Sequence, residues 1–309
     1  MSTNGNVIKD KPKKRSWVGL LYISPWLLGF LIFQLYPFFS SLYYSFTNLS
    51  MFKAPDFTGI QNYSYMFTRD ANFFQALKVT FVYVLFAVPA KIIVSLLVAL
   101  ILSQKIRGIN FYRTVYYLPS ILGGSVAVAF LWRILFMNDG IINKCLSFFR
   151  MSPLQWLGPD LALFTLSLLT VWQFGSSMLL FLAGLKQIPP ELYEAAKVDG
   201  ASSLKIFFRI TVPQLTPIIF FNLVMQMINA FQEFTSVFIV TNGTGGPIGA
   251  TYLYGLMVYR NGFEFFKMGY ASAQSWVLFV IIMFFTAFIF KSSPYWIYYE
   301  DGGDINGSK

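Results

Sequence analysis

The sequence contains no histidine and only one cysteine, Cys145. The lack of histidine excludes Ser-His-Asp triads, HExxH zinc sites and Cys/His metal clusters, and a lone cysteine cannot form an internal disulfide. The chain also lacks a GxxxxGK(S/T) loop, so it should not bind and hydrolyse ATP by that route. We therefore expect no catalytic residues, no metal and no cofactor, and any ATP-driven work must be done by a partner.

Charged residues are scarce as well. They make up 12% of the 309 residues, whereas hydrophobic residues make up 56%. A soluble domain has about 25% charged residues, so this composition predicts an all-α polytopic membrane protein. The net charge of +10 comes from basic residues scattered at the ends of apolar segments, which membrane topology explains better than nucleic-acid binding.

Six apolar segments are long enough to cross the hydrocarbon core, which needs about 20 residues. The predicted spans are 17–46, 73–102, 114–137, 161–185, 217–240 and 268–290. The first is too long for a signal peptide and lacks a clear small-residue cleavage site, so we interpret it as an uncleaved span, kinked at Pro25 and Pro37. The predicted domains are a mobile basic tail at 1–16, one membrane domain at 17–291 and a tail at 292–309; we interpret the chain from Lys291 onward as disordered.

An even number of spans places both termini on the same side of the membrane. That side carries fourteen lysines and arginines outside the spans, against six on the other side. Because the side richer in basic residues faces the cytoplasm, both tails are predicted to be cytoplasmic.

The longest polar interruption lies between the fourth and fifth spans. Pro190 suits the first turn of a helix, and Gly200 supplies a position for positive φ that ends it. A following serine, Ser202 or Ser203, can cap a second short helix, which Pro213 should end. We expect a helix, a hinge and a helix at the aqueous surface. The segment runs from Pro189 to Pro217 as PPELYEAAKVDGASSLKIFFRITVPQLTP.

This segment resembles the EAA loop of binding-protein-dependent ABC importers. Glu194-Ala195-Ala196 is followed at the family's spacing by Gly200, Ile210 and Val212-Pro213, with Val212 where leucine is usual. The string from Glu194 to Ala201 is similar to the carbohydrate-uptake branch, the maltose and multiple-sugar type permeases. In that family the loop is a coupling helix that docks on the ATPase; the alternative is an ordinary amphipathic helix between two spans. The resemblance implies ATPase coupling by Glu194, Ala195, Ala196, Asp199, Gly200, Ile210 and Pro213, within a coupling loop at 187–216.

Two loops are predicted on the outer side. The loop at 137–160 is rich in turn residues and is expected to carry a short interfacial helix. The second begins Thr241-Asn242-Gly243-Thr244-Gly245-Gly246-Pro247, and with Gly269-Tyr270-Ala271-Ser272-Ala273 it resembles the corresponding part of the same permeases. The resemblance covers residues 17–290. It implies that an external solute-binding protein contacts Gly245, Gly246 and Pro247.

Polar residues recur along one face of the fifth span. Asn222, Gln226, Asn229 and Glu233 follow one another at i, i+4, i+7 and i+11, so they form one helical stripe. Such a stripe must face protein or water, and amides suit sugar hydroxyls; we predict that it lines the substrate path. Hydrogen bonding to a second permease is the alternative. A further candidate pair for the path lies in the fourth span, Trp172 and Gln173.

The resemblance implies a type I ABC importer permease fold and a function as the transmembrane subunit of an ATP-driven, binding-protein-dependent sugar importer in a bacterial cell membrane, with an oligosaccharide as the expected substrate. The implied partners are a second homologous permease in a heterodimer, a cytosolic ATPase dimer and an extracytoplasmic solute-binding protein, and no nucleic acid. The same importer class acting on glycerol phosphate is an alternative. An ion-coupled carrier using Lys91 and Glu233 is another, although it leaves the EAA loop unexplained. An intramembrane enzyme is disfavoured by the lack of histidine and of paired acids in one loop. Whether Lys91 is functional or structural stays open.

Overall fold

A computed structural model describes residues 17–104 and 107–298. The predicted basic tail at 1–16 lies outside the described residues. Within them the chain forms helices and loops, with two isolated bridges, Thr47–Phe57 and Ser50–Lys53, in the loop after α2. The α-helices are α1 (Trp17–Phe30), α2 (Tyr36–Ser45), α3 (Gln61–Thr68), α4 (Ala71–Ser103), α5 (Ile109–Leu122), α6 (Val126–Phe136), α7 (Ile141–Phe148), α8 (Ala162–Trp172), α9 (Gly175–Leu185), α10 (Pro190–Val198), α11 (Ser203–Ile206), α12 (Val212–Phe231), α13 (Thr235–Val240), α14 (Tyr254–Tyr259) and α15 (Met268–Ser292).

Five helical stretches in the described ranges are long and apolar enough to cross a membrane, and α8 with α9, which meet at 46°, adds a sixth if the pair is one bent span. Hydropathy alone assigns the third stretch to Val126–Phe148, which joins α6 to α7. Packing instead joins α5 to α6 as one span, because α5 packs on α9 and α6 packs on α8, the two halves of the next span. We therefore number the spans 1 to 6 as α1–α2, α4, α5–α6, α8–α9, α11–α12 and α15. The prediction of an all-α polytopic membrane protein is confirmed.

Helix α4 lies at the centre of the bundle, where it packs on α8, α9, α12 and α14. Alanines occupy three of its buried positions, Ala76, Ala87 and Ala99. Small side chains let neighbouring backbones approach closely, which is how helices pack in membranes. The core therefore forms around span 2. We call the end of the bundle that carries α10 the α10 side, and the other end the opposite side.

Span 1 passes its two prolines differently. Pro25 lies inside α1 without ending it. A π-helical turn, Leu31–Leu35, joins α1 to α2, and the Tyr36 N–H donates to the Leu31 carbonyl. Pro37 follows in the first turn of α2, where a missing N–H is tolerated. The helix therefore continues through Pro25, whereas its hydrogen-bond register changes to π-helical just before Pro37.

Pro213 does not end the second helix of the polar loop, so that prediction is wrong. Ser202 caps α11 as expected, its hydroxyl accepting from the Lys205 N–H at 3.4 Å. A π-helical turn at Phe207–Thr211 then leads directly into α12. In this π-helical turn each N–H bonds to the carbonyl five residues earlier. Pro213 therefore falls in the first turn of α12, where proline is compatible with a continuing helix.

The boundaries of span 5 also differ from the predicted 217–240. The span is already helical before Pro217, and α12 ends at Phe231. Residues 232–234 then separate it from α13, and the Glu233 carboxylate accepts from the Ser236 N–H in the first turn of α13 at 2.9 Å. Residues 235–240 therefore belong to a separate short helix.

The chain after Lys291 is ordered at its start, which corrects the prediction of disorder from that residue. Helix α15 continues to Ser292, and a short 3-10 turn follows. Ile297 is buried, and the Tyr298 N–H donates to the Thr216 hydroxyl at 2.9 Å. These contacts hold residues 293–298 against span 5. Residues 299–309 lie outside the described ranges.

Candidate functional site

Helix α10 has the form that the sequence predicts. Pro190 lies in its first turn, after Pro189. At its other end the Ala201 N–H donates to the Ala196 carbonyl at 2.9 Å and the Gly200 N–H donates to the Lys197 carbonyl at 3.0 Å. Gly200 has a φ of 68°. This pair of bonds around a left-handed glycine is a Schellman motif, so the hinge after α10 is a defined turn.

One face of α10 and α11 is exposed and partly apolar. Glu194 and Ala195 are exposed, whereas Ala196 is half-buried. The sequence analysis missed Val198, which is 87% exposed, and Leu204, which is 72% exposed. Apolar side chains that solvent would surround are typical of a surface that another protein covers. For Val198, its position two residues after Ala196 was the available signal.

The other predicted coupling residues divide between this surface and the chain's own core. Asp199 is exposed, and its carboxylate makes no hydrogen bond within the described part of the chain. Ile210 is half-buried and packs against the hydrophobic core, and Pro213 is half-buried in the first turn of α12. The exposed surface therefore includes Glu194, Ala195, Asp199 and Gly200, while Ile210 and Pro213 connect it to span 5.

Helix α10 is fixed to two spans. The short segment Lys186–Pro189 joins it to α9, and Ile188 in this segment is buried. The half-buried ring of Tyr193 packs against the core, and its hydroxyl lies 3.2 Å from that of Thr211 at the base of span 5. Movement of α10 would therefore act on spans 4 and 5 together.

The first half of the predicted polar stripe faces neighbours within this chain. Asn222 is 1% exposed, and its amide nitrogen donates to the Ile218 carbonyl at 3.0 Å. The Gln226 amide donates to the Ser177 hydroxyl on α9 at 3.1 Å. Both side chains therefore take part in the packing of span 5.

The second half has different surroundings. Asn229 is exposed, and its side chain makes no hydrogen bond within the described residues. Glu233 lies beyond the end of α12, where it caps α13. The helical stripe therefore does not form one continuous lining, and of its four members Asn229 has the side chain most available to a ligand.

Trp172 and Gln173 lie where span 4 bends. Trp172 is half-buried, with its ring centroid 6.0 Å from that of Trp132 on α6. The Gln173 amide donates to the Gly123 carbonyl at 2.9 Å, between α5 and α6. The pair is therefore held at the contact between spans 3 and 4.

Lys91 lies on α4 and is 7% exposed. It forms no ion pair within the described ranges. A buried charge in a span is costly, so Lys91 remains a candidate for function or for specific packing. Arg133, in the last turn of α6, donates to the Asn242 side chain in the loop that follows α13 on the opposite side.

The loop between α13 and α14, on the opposite side, has an unusual backbone. Gly245 and Gly246 have φ values of 79° and 74°, which glycine adopts readily. Ile248 has a φ of 56° although it is β-branched, and it is 87% exposed. The Gln75 amide donates to its carbonyl at 3.0 Å. Exposed Pro247 and Ile248 thus form a fixed apolar tip, and Ile248 was missed because left-handed isoleucine has no sequence signal.

A cavity of about 350 Å³ adjoins this tip. Arg260 lies in its wall and pairs with Glu264 at 2.6 Å, and its guanidinium lies 5.4 Å from the Phe265 ring centroid. The hydrogen bond that the Arg260 guanidinium donates to the Glu264 carboxylate raises the pKa of Arg260, so the cation is retained. The lining residues are Asn72, Gln75, Thr244, Ile248, Gly249, Tyr252, Arg260 and Phe265.

Comparison with known proteins identifies relatives along most of the chain. A family described as binding-protein-dependent transport system inner membrane component matches residues 64–294. The chain is 51% identical over 290 residues to the probable ABC transporter permease protein YesP of Bacillus subtilis (strain 168), covering 93% of this chain and 94% of YesP. It is 32% identical over 269 residues to the arabinooligosaccharides transport system permease protein AraP of the same organism, covering 85% of this chain and 84% of AraP.

A solved structure has a similar fold. A chain of a bacterial alginate ABC transporter, in complex with an alginate pentasaccharide-bound periplasmic protein, matches with a TM-score of 0.76 at 21% identity. The match covers 90% of this chain and 94% of that one. At this identity the similarity concerns the fold.

Proposed function

Because the chain belongs to the family of binding-protein-dependent transport system inner membrane components, we propose that it is the permease subunit of an ATP-driven oligosaccharide importer. Its spans form half of the translocation path, and a second, homologous permease supplies the other half. The name of the relative AraP supports an oligosaccharide as the substrate. A solute-binding protein delivers the sugar to the opposite side, and both termini are cytoplasmic.

The observation that carries this proposal is the exposed surface of α10. A Schellman turn fixes its end, and its anchors on α9 and α12 would pass a displacement to the spans. The small side chains of Ala195 and Gly200 allow an ATPase subunit to approach closely, and the Glu194 carboxylate is exposed for a basic partner. No covalent chemistry occurs on this chain; it changes between two conformations as the ATPase closes and opens.

Mild-detergent purification of the chain from its native membrane tests the composition of the complex. We expect an ATPase with a phosphate-binding loop, a second permease and a binding protein to remain bound, as identified by mass spectrometry. Recovery of the chain alone, or as a homodimer without an ATPase, would contradict the proposal.

Reconstitution of that complex tests the coupling. Glu194→Lys reverses an exposed charge on α10 and should leave membrane insertion intact while ATP hydrolysis no longer drives uptake. Asp160→Lys reverses an exposed charge on the opposite side and serves as the control. Full uptake by the Glu194 variant would show that this residue does not couple the two activities.

A further inference from the structure

Spans 3 and 4 are both interrupted near the middle. Span 3 breaks between Leu122, where α5 ends, and Val126, where α6 begins. Span 4 breaks between Trp172 and Gly175, where α8 and α9 meet at 46°. A break in a helix leaves carbonyl groups without partners before it and N–H groups without partners after it. In a membrane each such group destabilises the fold unless protein satisfies it, because no water is present to do so.

One hydroxyl satisfies groups on both sides of the break in span 4. The Ser120 hydroxyl donates to the Gln173 carbonyl at 3.0 Å, at the end of α8. The same oxygen accepts from the Ser176 N–H at 2.9 Å, in the first turn of α9. Ser120 itself belongs to the last turn of α5. It therefore connects three half-spans, α5, α8 and α9.

The two breaks are also interlocked by packing. The Gln173 amide, at the break in span 4, donates to the Gly123 carbonyl at the break in span 3. A side chain of span 4 thus provides a partner for a free carbonyl of span 3. A Cβ on Gly123 would lie 2.3 Å from the Gln173 side chain, and a Cβ on Gly175 would lie 2.7 Å from the Tyr116 carbonyl oxygen. Gly123 and Gly175 thus let spans 3 and 4 approach more closely than any larger residue at these positions would allow.

On each side of this contact a half of span 3 touches a half of span 4, while α8 and α9 also pack along α4 and α6 packs on α13. Towards the α10 side, α5 packs on α9, which leads through Lys186–Pro189 into α10. Towards the opposite side, α6 packs on α8, and the Trp132 indole donates to the Thr165 carbonyl at 3.1 Å. The hydrogen bonds of Ser120 thus lie at the boundary between two helix pairs, of which only one is joined to α10.

We propose that the two breaks form a single joint held by Ser120, about which α5 and α9 tilt together against α6 and α8 when α10 moves. Ser120 acts as a positioning residue: it keeps three half-spans in register while a bend that already exists changes its angle. The inference rests on the proposed function, since the ATPase is what would move α10. If span 4 were one continuous helix, as α4 is, a displacement of α10 would instead move the whole span as one unit.

Distance measurements on the reconstituted complex test the tilt directly. Spin labels introduced by Phe164→Cys on α8 and Leu180→Cys on α9, both exposed, span the joint in a Cys145→Ser background. We expect their separation to differ between the nucleotide-free and ATP-trapped complexes. Labels introduced by Phe74→Cys and Leu85→Cys, both exposed on α4 and both before Pro89, are the control and should keep their separation. An unchanged α8–α9 separation would overturn the proposal.

Substitution of Ser120 tests its role in coupling. Ser120→Ala should assemble and hydrolyse ATP, while sugar taken up per ATP falls about tenfold, a common size for coupling between sites. Ser120→Thr, which keeps the hydroxyl, should restore coupling. Ser167→Ala is the matched control, because among the described residues the buried Ser167 hydroxyl bonds only to the Leu163 carbonyl of its own helix, at 2.8 Å. Normal coupling in Ser120→Ala would overturn the positioning role.

These results separate the joint from the proposed function. If the wild-type complex shows no ATP-driven sugar uptake, the proposed function fails. If it transports sugar while the label separation across span 4 stays constant, the importer stands and the joint is wrong.

Discussion

The hydroxyl groups of Tyr193 and Thr211 lie 3.2 Å apart and tie α10 to the base of span 5. Thr211 is 4% exposed, so this contact lies inside the protein although α10 itself is at the surface. The covalent connection through Lys186–Pro189 ties the same helix to span 4. An ATPase that displaces α10 would therefore move spans 4 and 5 together.

Removal of the Tyr193 hydroxyl should weaken coupling. In Tyr193→Phe the ring still packs on the core, but Thr211 loses a hydrogen bond that contributes about 0.5–1.5 kcal/mol. We expect ATP hydrolysis to continue and sugar uptake per ATP to fall, measured in proteoliposomes. Tyr112→Phe, at an exposed position of α5, is the control. Equal coupling ratios in both variants would show that this contact does not transmit movement.

A bulky residue at position 200 should disturb the turn after α10 without a steric clash. Gly200 has a φ of 68°, and a Cβ there would meet nothing within 4 Å. Gly200→Val therefore acts through backbone strain, of about 1–2 kcal/mol or more, which displaces α11 from α10. We expect loss of ATPase binding in co-purification, with normal membrane insertion.

Gly59→Val is the matched control for that variant. Gly59 has a φ of 60° and equal free space, but it lies in the loop on the opposite side. The same strain is thus introduced away from α10. If Gly59→Val and Gly200→Val lost ATPase binding to the same extent, general destabilisation rather than the turn would be the cause.

The helices could be predicted from apolar segments, but several boundaries could not. Proline was expected to end the second helix at Pro213, yet π-helical turns precede both Pro37 and Pro213. Such a turn depends on how the surrounding helices hold the chain, which residue types do not reveal. The break after Phe231 was missed as well, although the Glu233 carboxylate accepts from the Ser236 N–H only three residues along the chain.

The candidate sites were predictable where they depend on local geometry. The turn at Gly200 follows from a glycine after a helical pattern, and the structure contains it. Periodicity correctly groups residues on one helix face, but it does not tell which neighbour covers each one. Asn222 and Asn229 were therefore assigned the same role although one is buried and the other exposed. Ser120 was missed because its contacts join residues distant in sequence.

The two asparagines of span 5 should differ in their effect on transport. Asn229 is exposed, so in Asn229→Ala a sugar would lose a neutral hydrogen bond, and we expect the KM for uptake to rise about 2- to 10-fold. Asn222→Ala removes only the bond to the Ile218 carbonyl, so KM should not change. Uptake of labelled sugar at saturating ATP measures both. An increase in KM confined to Asn222→Ala would place the path along the buried part of this face, at Asn222 rather than at Asn229.

Ile248 should matter for docking of the binding protein and not for folding. A β-branched residue at a φ of 56° is strained by about 1–2 kcal/mol, whereas asparagine tolerates this conformation. Ile248→Asn should therefore retain or raise thermal stability. Because the same substitution removes the exposed apolar tip, more binding protein should be needed for half-maximal stimulation of ATP hydrolysis.

Ile60→Asn separates these two effects. Ile60 is also exposed on the opposite side, but its φ of −85° is ordinary, so asparagine relieves no strain there. We expect Ile60→Asn to leave the binding-protein requirement unchanged, although asparagine at this N-cap position of α3 should itself raise stability. If both variants needed equally more binding protein, the contact would extend over the whole opposite face, and the left-handed backbone at Ile248 would have no special part in docking.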